Sequence, residues 1–185
     1  MTKKIHITPY GKAEFPYLTH PDTVYDPDGK YKVKLRVPHE EAQSTIKLIN
    51  DCVAQQIKKE HDKKPGTSIV KRAPLPFDYE NNNTEVVFSF KMKARGINSE
   101  TGKPFEQKPQ IIDEQGNKFP DNKSIWSGSI LSVSYEPVGY SSSLGVGCTL
   151  RLKGVLVKEL VEGDTATSVF SDLIKREEYP NGPNN

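Results

Sequence analysis

The stretch from Lys30 to Pro38, KYKVKLRVP, alternates without a break between basic and apolar residues until its closing proline. Successive side chains of a β-strand point to opposite faces of the sheet, so this pattern predicts a strand with one buried face. The apolar face begins with Tyr31 and takes every second residue after it. The opposite face carries four cations in a row, which are Lys30, Lys32, Lys34 and Arg36.

Two later stretches repeat this alternation. TEVVFSFKMKARG places apolar residues on one face and Lys91, Lys93 and Arg95 on the other. CTLRLKGVLVKEL places Arg151 and Lys153 two residues apart, and the glycine in its middle predicts a bulge or a sharp bend. Lysines on an outer face also discourage edge pairing, which is an alternative explanation for any single strand. Three strands with the same pattern favour a basic groove that suits a phosphate backbone.

The apolar period changes directly after the first basic strand. Between about His39 and His61 the apolar residues recur every three or four positions, which predicts an amphipathic helix. Further strands are expected around KKIHITPYG, EFPYLT, PQIID and SILSVSYEPVGY, the last ending at Pro137. This order predicts a mainly β fold, a five-stranded OB-fold barrel with one helix and long loops. Residues 1–162 are expected to form this nucleic-acid-binding domain and residues 163–185 a flexible tail.

Composition limits the function classes more than it identifies one. The net charge of the 185 residues is only +2, so any attraction to a polyanion depends on local clusters. The two cysteines are far apart, which favours a reduced intracellular protein, and neither a signal peptide nor a membrane span is expected. The four histidines lack metal-ligand spacing. We therefore expect a binding protein with no metal or cofactor rather than an enzyme.

Aromatic side chains provide the second signal for nucleic acid, because unpaired bases stack on exposed rings with about 1–3 kcal/mol per base. Tyr135 and Tyr140 lie on or just after the SVSYEPVGY strand. A phenol suits a protein core equally well, so both roles stay open for each tyrosine. Other aromatic residues fall at strand ends or in loops, namely Tyr10, Tyr17, Tyr25, Phe105 and Trp126.

A series of stretches in matching order resembles the single-stranded DNA-binding proteins of short-tailed bacteriophages of the T-odd group. The stretches are MTKKI, KAEFPYLTHPD, GKYKVKLRVP, FSFKMKARG, PQIIDEQGNK, SGSILSVSYEPVGY and LRLKGVLVKEL, and they extend to Leu160. The resemblance implies an OB barrel with a helix beside it and no metal or cofactor. It also implies that the protein coats single-stranded DNA, helps complementary strands anneal, and contacts the phage DNA polymerase and the helicase-primase.

The resemblance also implies roles for individual residues. Lys3 matches a basic position that contributes to DNA binding, and Lys4 follows it. Tyr140 matches an aromatic residue implicated in DNA contact, and Tyr135 matches another family tyrosine. The family carries lysines where this chain has Ser132 and Ser134, so the charge is expected to have moved to the strand that begins at Lys30.

The sequence thus predicts a non-sequence-specific single-stranded DNA-binding protein. It would act in phage DNA replication, recombination and repair, in the cytoplasm of an infected bacterial host. The alternatives are a recombination mediator that mainly anneals strands, and an OB-like adaptor that binds protein; a homodimer is left open. The predicted DNA-binding residues are Lys3, Lys4, Lys30, Lys32, Lys34, Arg36, Lys91, Lys93, Arg95, Tyr135, Tyr140, Arg151 and Lys153.

Overall fold

The elements of the chain are taken from a computed structural model, which describes residues 4–63, 65–66 and 70–163. Within these ranges the order is ten strands and one helix, the helix lying between the third and fourth strands. The bounds are β1 His6–Ile7, β2 Gly11–Asp22, β3 Lys30–Pro38, α1 His39–Lys63, β4 Phe77–Glu80, β5 Glu85–Lys93, β6 Arg95–Ile97, β7 Pro104–Glu106, β8 Gln110–Asp113, β9 Ile130–Ser142 and β10 Gly145–Glu159.

Five of these strands close into a ring in the order β9, β2, β3, β5, β10 and back to β9. The pair formed by β5 and β10 is parallel, and the other four pairs are antiparallel. This is the five-stranded OB-fold arrangement with one helix that the sequence predicts, so that prediction is confirmed. The shorter β1, β4 and β8 pair with strands of the ring, while β6 and β7 form a separate hairpin.

The core lies inside the ring because each strand buries one parity of its side chains. On β3 the buried set begins at Tyr31, and on β5 it includes Phe88 and Phe90. The helix α1 packs its buried face, which includes Ile49 and Val53, against β9 and β10. Burying a side chain of this size contributes about 1.5–3 kcal/mol, so the apolar parity holds the ring in register and leaves the opposite parity outside.

Two local predictions have different outcomes. The expected irregularity at Gly154 is confirmed, because the pairing of β10 with β9 shifts register between Leu152 and Gly154. The expected end of β9 at Pro137 is wrong, since the strand continues to Ser142 and Pro137 pairs with β10. On the other edge of β9, β1 pairs only as far as Tyr135. Proline has no backbone N–H, and at Pro137 no strand on that edge requires one as a hydrogen-bond donor.

The predicted C-terminal tail lies outside the described residues, apart from its first residue, Gly163. Across the part of the chain that the structure describes, no helix combines the length and the apolar character needed to cross a membrane.

Candidate nucleic-acid interface

The outward sides of β3 and β5 bring four lysines together in two facing pairs. Lys30 lies opposite Lys93, and Lys32 lies opposite Lys91. Directly opposed side chains of an antiparallel pair have Cβ atoms about 4.5–5.5 Å apart, and like charges at this separation destabilise the sheet. The arrangement therefore has an unfavourable electrostatic energy that a bound anion would relieve.

The third basic strand extends this surface on the other side of β5. Arg151 of β10 is in register with Lys91. Lys153 is the extra residue of the β10 bulge, and its Nζ lies 3.1 Å from Glu136 Oε2, on the same side as Arg151. We call this surface the basic face and define it as Lys30, Lys32, Lys34, Lys91, Lys93, Arg151 and Lys153.

Carboxylates neutralise only the edges of the basic face. Asp22, the last residue of β2, binds Lys32, and Asp26 of the following loop has its carboxylate 3.0 Å from Lys30 Nζ. The hydrogen bonds from these two lysines lower the pKa of both aspartates below the usual range. Glu136 of β9 is buried and forms ion pairs with two residues of β10, Lys153 at 3.1 Å and Arg151 at 4.0 Å.

The centre of the basic face keeps its charge. Lys34, Lys91 and Lys93 are exposed, and none of them has an ion-pair partner among the residues that the structure describes. Lys91 lies between Lys32 on β3 and Arg151 on β10, so the three form a cationic row across three strands. Such a row suits the evenly spaced charges of a phosphate backbone.

Arg36 does not belong to this surface, although it has the same parity on β3. Its guanidinium donates to Glu14 at 2.6 Å, Glu80 at 2.5 Å and Glu85 at 2.9 Å, and its side chain is only 20% exposed. These bonds raise the pKa of Arg36 and, with a bond from Asn81, lower the pKa of Glu85. Three carboxylates thus hold the guanidinium of Arg36 within the fold. We therefore leave Arg36 out of the basic face, and its contact with DNA stays a prediction.

Tyr135, which was predicted to contact DNA, lies in the core of the protein. Its side chain is 1% exposed, its ring packs 5.3 Å from that of Phe90, and its hydroxyl donates to Thr45 Oγ1 of α1 at 3.3 Å. Burial raises the pKa of the phenol. Because the ring has no surface to offer a base, Tyr135 is a core residue that anchors the helix.

Tyr140 lies on the outward side of β9, as a binding role requires. It pairs with Gly147 of β10, and a Cβ at that glycine would come within 2.6 Å of the phenol oxygen. The ring therefore covers the glycine and is half-buried, with one face supported by the sheet. This support positions the other face for contact with a planar group.

Tyr17 borders the basic face on its β2 side. It pairs with Lys32, its side chain is 40% exposed, and Lys32 Nζ lies 4.8 Å from the ring centroid. This is a cation–π contact, which orients the ring beside the positive charges. Tyr17 is not among the predicted DNA-binding residues, because the pairing of β2 with β3 cannot be deduced from the sequence.

The other predicted residues are not among those that define the basic face. Arg95 is on the β6–β7 hairpin and donates to the carbonyl oxygen of Asp28 at 3.3 Å. Lys4 is exposed in the segment before β1, and Lys3 lies outside the described residues. Ser132, at a position where the family was expected to carry a lysine, is buried and donates to the Thr8 carbonyl oxygen at 2.7 Å.

Within the described ranges no group of three or more histidine, cysteine, aspartate or glutamate side chains could hold a metal ion. In chain order, β3 and β5 are the second and third of the five ring strands, and they carry cations with aromatic side chains beside them. In OB folds this face of strands 2 and 3 is the one that binds oligonucleotides. The fold and the site thus define an OB-fold protein of the nucleic-acid-binding class.

Comparison with known proteins narrows this class. The family model described as "Single-stranded DNA-binding protein, Bacteriophage T7" matches residues 6–160. The chain belongs to this family of phage single-stranded DNA-binding proteins. It is 25% identical to the single-stranded DNA-binding protein of Escherichia phage T7, over 97% of this chain and 86% of that protein.

Solved structures give the same result. The crystal structure of gp2.5, a single-stranded DNA-binding protein encoded by bacteriophage T7, superimposes with a TM-score of 0.75 at 26% identity, covering 98% of this chain and all of that one. The single-stranded DNA-binding protein of bacteriophage Enc34, in complex with single-stranded DNA, gives a TM-score of 0.55 at 16% identity, covering 89% of each chain. The likeness to the Enc34 protein supports the assignment of the fold.

Proposed function

We propose that this protein binds single-stranded DNA without sequence preference. Lysines and arginines of the basic face would contact the phosphates, and aromatic side chains at its border would stack on bases. The observation that carries the proposal is the pair of facing lysine couples on β3 and β5, with Arg151 beside them. Membership in the phage family supports it independently.

The chemistry of the face explains the expected lack of sequence preference. Lysine is a compact point charge on a flexible stem, so it binds phosphate without the fixed geometry that reads a base edge. Stacking on Tyr17 or Tyr140 is equally tolerant, because every base has a π-face. A duplex hides these π-faces, so only an unpaired strand can use both kinds of contact.

Binding would also relieve repulsion that the folded chain otherwise bears. Lys91 faces Lys32 and adjoins Arg151. Asp22 binds Lys32 and Glu136 binds Arg151, but no carboxylate among the described residues forms an ion pair with Lys91. Each phosphate that this face neutralises would release condensed counterions. The logarithm of affinity would then fall with the logarithm of salt concentration by about 0.7 per phosphate contact.

Family membership supports a biological role that is part of the same proposal. We assign the protein to phage DNA replication, recombination and repair in the cytoplasm of an infected bacterial host, as a binding protein rather than an enzyme. Contacts with the phage DNA polymerase and helicase-primase, strand annealing and a homodimer stay predictions.

A fluorescence anisotropy titration tests the proposed activity. Labelled oligothymidylate, a mixed-sequence single strand and the matching duplex are titrated over a range of salt concentrations. We expect both single strands to bind with similar affinity, more tightly than the duplex, and with a strong salt dependence. Equal or tighter binding of the duplex, or no DNA-dependent signal, would refute the proposal.

A further inference from the structure

The strand β2 contains a bulge beside the basic face. Glu14 pairs with Lys34 and Tyr17 pairs with Lys32, so β2 has two residues where β3 has one. The two residues are Phe15 and Pro16, and they lie opposite Val33. A bulge re-aims side chains and is over-represented beside functional sites, and a proline inside a strand is tolerated there.

Phe15 has an unusual backbone and an unusual environment. Its φ angle is 47°, which falls in the left-handed region that bulky side chains rarely adopt. Its side chain is nevertheless 68% exposed, so little packing energy compensates for the strain. Its backbone N–H donates to Ser127 Oγ at 3.0 Å, a bond that holds the residue in this conformation.

A strained residue with an exposed ring is best explained by a contact that the isolated chain lacks. Strain of this kind costs roughly 1–3 kcal/mol and persists mainly where the surrounding structure imposes it, often at binding sites. Glycine or asparagine would fill the same backbone position at less cost, so the aromatic ring is the feature to be explained.

We propose that Phe15 is a platform on which an unpaired base stacks. The inference rests on the proposed binding of single-stranded DNA and adds a position to it. Glu14 and Tyr17, on either side of the bulge, pair with Lys34 and Lys32 of the basic face. Lys34 has no ion-pair partner within the described chain. A phosphate held by Lys34 would leave its base beside Phe15 on the β2 side of the face.

A second exposed aromatic residue supports this path for the strand. Trp126 immediately precedes Ser127, whose hydroxyl holds the Phe15 backbone, and its side chain is 53% exposed. The β2 bulge and the segment before β9 thus present two rings on adjoining backbone. A protein partner could also use these rings, but Lys34 and Lys32, which pair with the residues on either side of the bulge, favour a ligand that carries both phosphates and bases.

The substitution Phe15→Asn tests the platform without disturbing the backbone, because asparagine tolerates positive φ. We expect the free energy of unfolding to stay equal or rise, while affinity for oligothymidylate falls about five- to 150-fold, the value of roughly one base stack. The salt slope should not change, since no phosphate contact is lost. Phe15→Tyr keeps an aromatic ring at the same backbone and should bind like the unsubstituted protein.

An oligonucleotide with abasic sites separates base stacking from other contacts. The unsubstituted protein should bind oligothymidylate more tightly than its abasic analogue, and Phe15→Asn should reduce this ratio at least fivefold. Phe15→Leu, which keeps apolar bulk without a π-face, should do the same and serves if the asparagine variant folds poorly. An unchanged ratio in a folded variant would overturn the platform while leaving the proposed DNA binding intact. Failure of the proposed function would instead appear as tight duplex binding by the unsubstituted protein.

Discussion

Removing the unpaired charges at the centre of the basic face should weaken the salt dependence of DNA binding by a calculable amount. The variant Lys34→Gln/Lys91→Gln/Lys93→Gln keeps side chains of similar length but removes three charges that have no ion-pair partner in the described chain. If each lysine contacts one phosphate, the salt slope falls by about 0.7 per lysine, or about 2 in all.

This change in slope corresponds to a large change in relative affinity. Between about 50 and 200 mM salt, a slope difference of about 2 reduces the affinity ratio of unsubstituted to variant protein roughly 18-fold. Stability should be unaffected or slightly increased, because Lys91 and Lys93 face like charges on β3. Anisotropy titrations at four or more salt concentrations give the slope directly.

A matched control separates local contact from net charge. Lys47, Lys58 and Lys59 are exposed on α1, and their replacement by glutamine removes the same number of charges from a helix that accepts glutamine well. The control should keep the slope of the unsubstituted protein. Equal slope changes in the two variants would refute the phosphate role of the basic face and leave only a general effect of charge.

Three further predictions test the assignments within the ring. Tyr135→Phe removes one buried hydrogen bond, so it should cost about 0.5–1.5 kcal/mol in urea unfolding and leave DNA affinity unchanged. Gly147→Ala should displace the ring of Tyr140, and both this variant and Tyr140→Ala should bind single strands about five- to 150-fold more weakly in anisotropy titrations. Arg36→Met should destabilise the fold at neutral pH, measured as a lower urea midpoint. Because Arg36 lowers the folded-state pKa of Glu85, this stabilisation is present above the ordinary glutamate pKa, so the difference should shrink as pH falls through the lowered value.

Much of the fold can be predicted because periodicity is a local property of the sequence. The alternation on β3 and β5 and the three- to four-residue period of α1 together determine which residues face the core. The same reasoning could have assigned Tyr135 correctly, since it shares its parity with the buried Leu131 and Val133. The sequence left both roles open for this tyrosine, and its burial excludes the stacking role.

The site was harder to predict because it depends on pairing between distant segments. The carboxylates that bind Arg36 come from positions 22 to 49 residues away, so their approach cannot be deduced from the KYKVKLRVP pattern. The aspartates that bind Lys30 and Lys32 come from the preceding loop and from the end of β2, and a turn pattern alone did not suggest this role. The bulge at Phe15 had one local signal, the proline that interrupts the alternation in EFPYLT.

The central claim is that a DNA strand lies across the outward side of β3 and β5. A crystal structure of the protein with bound oligothymidylate tests it most directly. The account predicts phosphate oxygens within ion-pair distance of Lys34, Lys91 and Lys93, and a base stacked on Phe15. A strand bound elsewhere on the protein, with these lysines free in solvent, would contradict it.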